Sequence, residues 1–129
     1  MQINTPYEST LKLENIYISE CSFKRTESDL SDLRLNLQID KNIEELVSDQ
    51  SYRISLSVQI NDENDYLSIF VSCIGIFSIQ NPTSQVLIHK NATAIMFPYL
   101  RSYVTTITTQ PGMMPVVIPA INIMTLFSD

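Results

Sequence analysis

Two segments of the chain alternate between apolar and polar residues almost without interruption. From Leu33 to Ile39 every odd-numbered residue is apolar, and from Tyr52 to Ile60 every even-numbered residue is apolar. Alternation with a period of two is typical of antiparallel strands that are covered on one face only. We therefore expect two such strands, joined by residues 40–51, which could form a short helical turn around residues 43–47. A polar cluster at residues 61–65 predicts a hairpin after the second strand.

Two further segments predict strands with a less regular pattern. The segment from Tyr66 to Ile79 is apolar on both faces, because Phe70, Ile74 and Ile76 lie opposite its main apolar row. Such a strand needs cover on both sides, or else it exposes an apolar patch. The first strand, about residues 11–24, changes phase between Leu13 and Ile16, which predicts a β-bulge near residues 14–15.

A helix is predicted from Ala92 to about Thr109. Apolar residues recur there at helical spacing, with a second stripe beside them. The first stripe is Phe97, Leu100, Val104 and Ile107, and the second is Met96, Tyr99 and Tyr103. Pro98 is tolerated if the helix begins near residues 93–94, where amide groups need no internal partner. The four threonines between residues 105 and 109 are poor helix formers and weaken this prediction.

The segment after this helix, residues 110–121, is almost wholly apolar and contains Pro111, Pro115 and Pro119. Three prolines exclude a continuous helix or a central strand. A proline-stiffened apolar loop either covers the core of its own domain or offers an apolar surface to a partner. Asn122 is a candidate cap for a last short helix over residues 123–127. We expect an α+β fold in which residues 1–129 form a single domain.

Composition narrows the class of protein. The 129 residues are 44% hydrophobic and 17% charged, which is typical of a globular chain. A net charge of −6 and scattered basic residues argue against binding to nucleic acid or to an anionic membrane. The N-terminus lacks the pattern of a secretory signal, and Cys21 and Cys73 are expected to be reduced thiols rather than a disulfide. These features predict a cytoplasmic protein.

The sequence offers little catalytic chemistry. His89 is the only histidine and is expected in a loop, without the neighbouring ligands that a metal site requires. The two glycines, Gly75 and Gly112, cannot form a phosphate-binding loop, and no serine stands in a nucleophile-elbow context. We therefore predict that the protein is not an enzyme and uses neither a cofactor nor a metal.

The order of several short motifs is similar to that of the SecB chaperones. The motifs are Ile16-Tyr17 and Ser22-Phe23 in the first strand, Gly-Ile-Phe-Ser-Ile at residues 75–79, Phe97-Pro98-Tyr99 in the helix, Pro115 and Pro119 in the loop, Asn122, and Leu126-Phe127. Together they cover residues 11–127. The resemblance implies a four-stranded antiparallel sheet with a long helix packed on it, a crossover loop (residues 110–121) and a short C-terminal helix.

The resemblance also implies an assembly and a binding groove. First strands would pair across a dimer, and two dimers would stack through their long helices as a homotetramer. The crossover loop would line a groove for nonnative polypeptide, with Met113, Met114, Val116, Val117, Ile118, Ile121, Met124 and Phe127 as the groove residues. A second set is expected to form a partner or oligomer surface: Glu20, Phe70, Ile74, Ile76, Met96, Tyr99 and Tyr103. Methionine suits a groove that accepts varied clients, because its side chain repacks readily.

The chain departs from the family pattern where SecB proteins dock the SecA motor. Glu20 matches one acidic position, but Lys24 and Phe70 occupy two others. We also expect no tail after the last helix. Whether SecA is a partner is therefore left open. The alternative to a general export chaperone is a SecB-like protein dedicated to one partner, such as the antitoxin of a toxin–antitoxin pair.

Three functional hypotheses follow from these observations. The first is an ATP-independent holdase that binds unfolded or precursor polypeptides, with export as one use. The second is a non-catalytic assembly subunit or partner-binding protein that recognises one protein through an open strand edge. The third is a small-molecule pocket between helix and sheet, or an unrecognised hydrolase.

Overall fold

The structure is a computed structural model, and it describes residues 11–27, 29–48, 50–79, 85–122 and 125–126. Four strands come first in the chain: β1 (Leu11–Arg25), β2 (Asn36–Val47), β3 (Ser51–Asn61) and β4 (Leu67–Ile79). A long helix, α1 (Gln85–Thr108), follows. The strands form one antiparallel sheet in the order β1-β4-β3-β2, and α1 packs on one face of it. The predicted α+β fold is therefore confirmed.

The irregular phase of β1 arises from two register shifts against β4. The predicted bulge is confirmed between Leu13 and Asn15, and a second shift, which was not predicted, lies between Ile18 and Glu20. Each shift moves the following side chains to the other face of the sheet. As a result Leu13, Ile16, Cys21 and Phe23 all pair with residues of β4 on the side that faces α1.

The helical turn predicted around residues 43–47 is wrong, because β2 continues as a strand to Val47. Ile39, Lys41 and Ile43 lie opposite Val58, Leu56 and Ile54 of β3, so period-two alternation persists through the polar stretch. The aliphatic stem of a lysine can cover apolar surface while its amine stays in water, which lets Lys41 occupy such a position.

The hairpin predicted at residues 61–65 is confirmed and is closed by Asp62. Its carboxylate accepts the N–H of Leu67 at 2.9 Å and the N–H of Asn64 at 3.1 Å. Burial of this group favours its neutral form, but these backbone donors outweigh that effect and lower the pKa of Asp62. Asp65, which has a φ of 55°, completes the turn.

Helix α1 begins seven residues before the predicted Ala92, at Gln85. Its buried stripe advances one residue per turn through Ile88, Ala92, Met96, Leu100 and Val104. His89 therefore lies on the helix and not in the predicted loop. Its burial on the helix and the charge of Lys41 lower its pKa. Pro98 lies in the helix interior, not in the first turn, and its ring is exposed.

The core lies between α1 and the even-numbered side chains of β3 and odd-numbered side chains of β4. Gly75 marks a close approach of helix and sheet, since a side-chain Cβ there would lie 2.8 Å from the sulfur of Met96. Glycine permits this contact without a shift of its neighbours. Among the described residues, no helix has both the length and the apolar character required to cross a membrane.

The predicted C-terminal helix lies mostly outside the described residues. Residues 125–126 form part of a helical turn, in which the N–H of Thr125 donates to the C=O of Asn122 at 3.0 Å. Residues 123, 124 and 127 of the predicted helix are not among those described.

Candidate functional site

A cleft of about 510 Å³ lies between two irregular segments, one before β2 and one after α1. One wall is the segment that precedes β2, and the other is the first half of the crossover loop. The lining residues are Asp29, Leu30, Ser31, Leu33, Leu35, Leu67 and residues 112–117. A smaller recess of about 100 Å³ continues from it past Leu35 and Val117 towards Pro119. We call the cleft and the recess together the groove.

The crossover loop exposes some of its apolar side chains and buries others. Met114 is 81% exposed and Val117 is 65% exposed, so both present apolar surface to solvent at the groove. Met113, Val116 and Ile121 are half-buried against the core, and Ile118 is a core residue that is only 2% exposed. Of the two roles expected for the loop, covering the core of its own domain therefore applies to Ile118. Met124 and Phe127 lie outside the described residues.

The second wall of the groove was missed by sequence reasoning. Leu33 and Leu35 were assigned to a strand, but β2 begins only at Asn36, which leaves both leucines in the segment that faces the loop. Leu30 lies on the same wall. The close spacing of the leucines at 30, 33 and 35 could have indicated this wall. Apolar residues outside a helix or strand need another surface to pack against.

Side chains from α1 and β1 hold the crossover loop in place. The Thr105 hydroxyl donates to the C=O of Val116 at 2.9 Å, and the N–H of Val116 donates to the Thr108 hydroxyl at 2.8 Å. The Arg25 guanidinium donates to the C=O of Gly112 at 2.9 Å. The backbone N–H and C=O groups of a loop have no neighbouring strand or helical turn to bond to. A buried backbone group without a hydrogen-bond partner costs roughly 1–3 kcal/mol of stability, so these side-chain bonds stabilise the loop.

One wall of the groove carries a negative charge. The backbone N–H of Ser31 donates to the Asp29 carboxylate at 3.0 Å. This bond, with a second from the Ser31 side chain, lowers the pKa of Asp29. The groove is therefore an apolar channel with one ionised carboxylate at its edge at neutral pH. Its apolar side chains favour contact with apolar groups, and Asp29 disfavours an acidic group beside it.

The predicted partner or oligomer residues do not form one surface. Glu20, Phe70, Ile74 and Ile76 lie on the sheet face opposite α1. Ile74 is only 3% exposed, and Tyr17, which was not among the predicted surface residues, lies beside it on β1 and is exposed. On this face the chain itself covers Ile74 and leaves Tyr17 exposed, whereas Phe70 and Ile76 are half-buried.

The helix residues of that set also separate. Tyr99 is 53% exposed on the outer side of α1. Tyr103 is half-buried and is hydrogen-bonded to Cys21 on β1, which raises the pKa of the Tyr103 hydroxyl. Met96 is fully buried against Gly75, so the prediction that it lies on a partner surface is wrong. Its position one turn after Ala92 places it in the buried stripe of the helix.

Comparison with known proteins gives a consistent result. The SecB family, described as "Preprotein translocase subunit SecB", matches residues 4–129. The protein-export protein SecB of Bartonella bacilliformis is 32% identical, over 95% of this chain and 78% of its own length. That of Rickettsia akari is 24% identical, over 98% of this chain and 85% of its own length.

A solved structure has the same fold. It is a SecB-like chaperone of Mycobacterium tuberculosis, determined in complex with a ChAD peptide from the HigA1 antitoxin. The TM-score is 0.72 at 14% sequence identity, and the match covers 88% of this chain and 91% of that one. At this identity the likeness is one of fold.

Proposed function

This chain belongs to the SecB family of chaperones, and from that premise we propose that it is an ATP-independent holdase that binds nonnative polypeptides in the groove. The single observation that carries the proposal is the exposure of Met114 and Val117 on a loop whose neighbouring residues are fixed to the core. Apolar side chains held in water at the edge of a cleft offer binding surface without any rearrangement of the fold.

The size of the apolar surface fits reversible binding. Burying one such side chain fully is worth about 1.5–3 kcal/mol. Met114 and Val117, with Leu35 on the facing wall, could therefore contribute several kcal/mol before the ordering of the client is subtracted. That surplus suits micromolar, exchangeable binding of extended segments. The chain contains only two glycines, one in β4 and one in the crossover loop, which supports binding without a nucleotide.

We further propose that the protein is cytoplasmic and assembles as a homotetramer. Two features support the assembly: β1 is an edge strand of the sheet that the described residues form, and Tyr99 is exposed on the outer side of α1. Four chains of 14.7 kDa give a mass of about 59 kDa, which light scattering can measure directly. A mass of about 15 kDa at micromolar concentration would contradict the assembly without bearing on the groove.

The test of the proposed function is suppression of aggregation. Several unrelated proteins, diluted from denaturant without nucleotide, are expected to aggregate more slowly when the protein is present in molar excess. If none of them is protected and none co-elutes with the protein, the general holdase is ruled out.

A second candidate is a SecB-like chaperone dedicated to one partner, such as an antitoxin, or a non-catalytic assembly subunit. Two observations favour it: the fold is that of a SecB-like chaperone solved with an antitoxin peptide, and Lys24 and Phe70 replace acidic residues expected for SecA docking. Binding of one protein with high affinity, alongside failure to protect generic clients, would select this candidate. Titration with SecA would decide whether export is involved.

A further inference from the structure

Two threonine hydroxyls on α1 bind both backbone polar groups of one residue in the crossover loop. The C=O of Val116 accepts from Thr105, and the N–H of Val116 donates to Thr108. The Thr108 hydroxyl is buried and donates in turn to the C=O of Val104 at 2.8 Å. One hydroxyl can donate once and accept as well, so these bonds are mutually compatible.

We infer that Thr105 and Thr108 are positioning residues for client binding, because their hydroxyls fix Val116 and thereby hold Val117 and Met114 outward in the groove. This inference rests on the proposed function. Val116 is half-buried and fixed, Ile118 is in the core, and Val117 between them is exposed. With both neighbours secured, the Val117 side chain has no route into the core.

The preceding part of the loop is secured by a separate anchor. Arg25 binds the C=O of Gly112, a residue with φ of 82° that glycine adopts without strain. Residues 113–115 therefore span two fixed points, Gly112 and Val116, and Met114 lies in the middle of this span with most of its surface in solvent.

The value of these anchors lies in preorganisation. An unanchored apolar loop would settle onto nearby apolar surface, including the facing wall at Leu35. A client would then have to open and order the loop as it bound, which weakens affinity. Because the hydroxyls already order the loop in the folded protein, a client does not have to order it on binding. The hydroxyls therefore increase client affinity as well as the order of the loop.

The inference explains two of the four threonines near the end of α1. Thr106 and Thr109 donate only to carbonyls of their own helix, at Ser102 and Thr105, and both side chains are exposed. Thr105 and Thr108 bond to the loop as well as to carbonyls of their own helix. A residue of low helix propensity is acceptable at these two positions because a loop-binding hydroxyl is required there.

Replacement by valine removes each hydroxyl while keeping the branched shape. We expect Thr105→Val and Thr108→Val each to weaken binding of a fluorescently labelled, reduced and carboxymethylated lactalbumin by about two- to ten-fold. Thr105→Ser and Thr108→Ser keep the hydroxyl and should bind as the wild type does. Thr106→Val, on the same helix without a loop contact, is the matched control and should leave affinity unchanged.

Hydrogen exchange provides a readout that general destabilisation would not reproduce. The amide of Val116 should exchange faster in Thr108→Val, while the amides of β3 and β4 keep their protection. Unchanged affinity in both valine variants, or equal losses in the serine variants, would overturn the inference. If the wild type binds no client, the proposed function fails, and the exchange rate of Val116 alone then decides whether the hydroxyls hold the loop.

Discussion

At the scale of single residues, Gly75 sets the distance between α1 and the sheet. A Cβ at this position would lie 2.8 Å from the Met96 sulfur and 2.8 Å from a ring carbon of Phe77. Both of these side chains are fully buried, so neither can move away into solvent. A side chain at this position would therefore force the Met96 or the Phe77 side chain to shift within the core.

We expect Gly75→Ala to destabilise the protein by about 1–3 kcal/mol through overpacking, although alanine normally suits a strand no worse than glycine does. Urea denaturation measures the loss. Ser72→Ala, also on β4 but on the face away from α1, is the control and should change stability little. An increase in stability of Gly75→Ala would mean that helix and sheet are not in close contact here.

Asp62 links stability to pH. Its pKa is lower in the folded state than in the unfolded chain, so its stabilising contribution is complete above the ordinary aspartate pKa of about 3.9 and is lost as the pH falls through the folded-state value. We expect Asp62→Asn to have a lower urea midpoint than the wild type at pH 7, and the difference to shrink as the pH is lowered towards about 2.5. A difference that grows on acidification would contradict the role of the carboxylate.

The residues predicted for the groove differ in exposure: Met114 and Val117 are exposed, whereas Ile118 is buried. The sequence predicted Met114 and Val117 as groove residues, but it did not predict which residues of the crossover loop are exposed. Ile118 could not be separated from Val117 by sequence, since both are β-branched aliphatic residues in the same run. Their separation depends on Thr105 and Thr108, whose side chains reach across eight to eleven positions to fix Val116.

At the scale of elements, alternation predicted the strands because each buries one face in the same core. The end of β2 was missed because Asp40, Lys41 and Asn42 interrupt the apolar row, and only pairing with β3 keeps that segment extended. The start of α1 was missed because the polar residues His89, Lys90 and Asn91 separate the buried Ile88 from the buried Ala92. Tertiary packing, rather than local propensity, sets both boundaries.

The strand order predicts different reactivities for the two cysteines. Cys21 lies on the edge strand β1 and is exposed, whereas Cys73 lies on the central strand β4 and is buried, which raises its pKa to about 11. Because the thiolate is the reactive form, we expect one thiol per chain to react with a maleimide at about pH 8. Cys21→Ser should abolish the fast reaction. Equal reaction of both thiols in the native protein would contradict the sheet order.

At the scale of the whole molecule, the groove exists only because distant parts of the chain meet. The segment around Leu35 and the loop around Val117 are far apart in sequence, and β1 contributes Arg25 to the same region. The sequence predicted one wall, since the crossover loop is apolar throughout. The facing wall depends on where β2 begins and on how the sheet is ordered, and neither is a local property.

The central claim is that the exposed part of the crossover loop binds clients, and one comparison of affinities tests it most directly. Val117→Asp and Val47→Asp place the same charge at two exposed valines, one in the groove and one at the β2–β3 turn, where Val47 is 50% exposed. Dissociation constants for one unfolded client are measured for both variants and for Met114→Asp, with oligomer mass as a check. We predict at least a ten-fold loss for the two groove variants, since each replaces an apolar contact with a charge that must be desolvated, and wild-type affinity for Val47→Asp. Wild-type affinity in Val117→Asp and Met114→Asp would contradict the account.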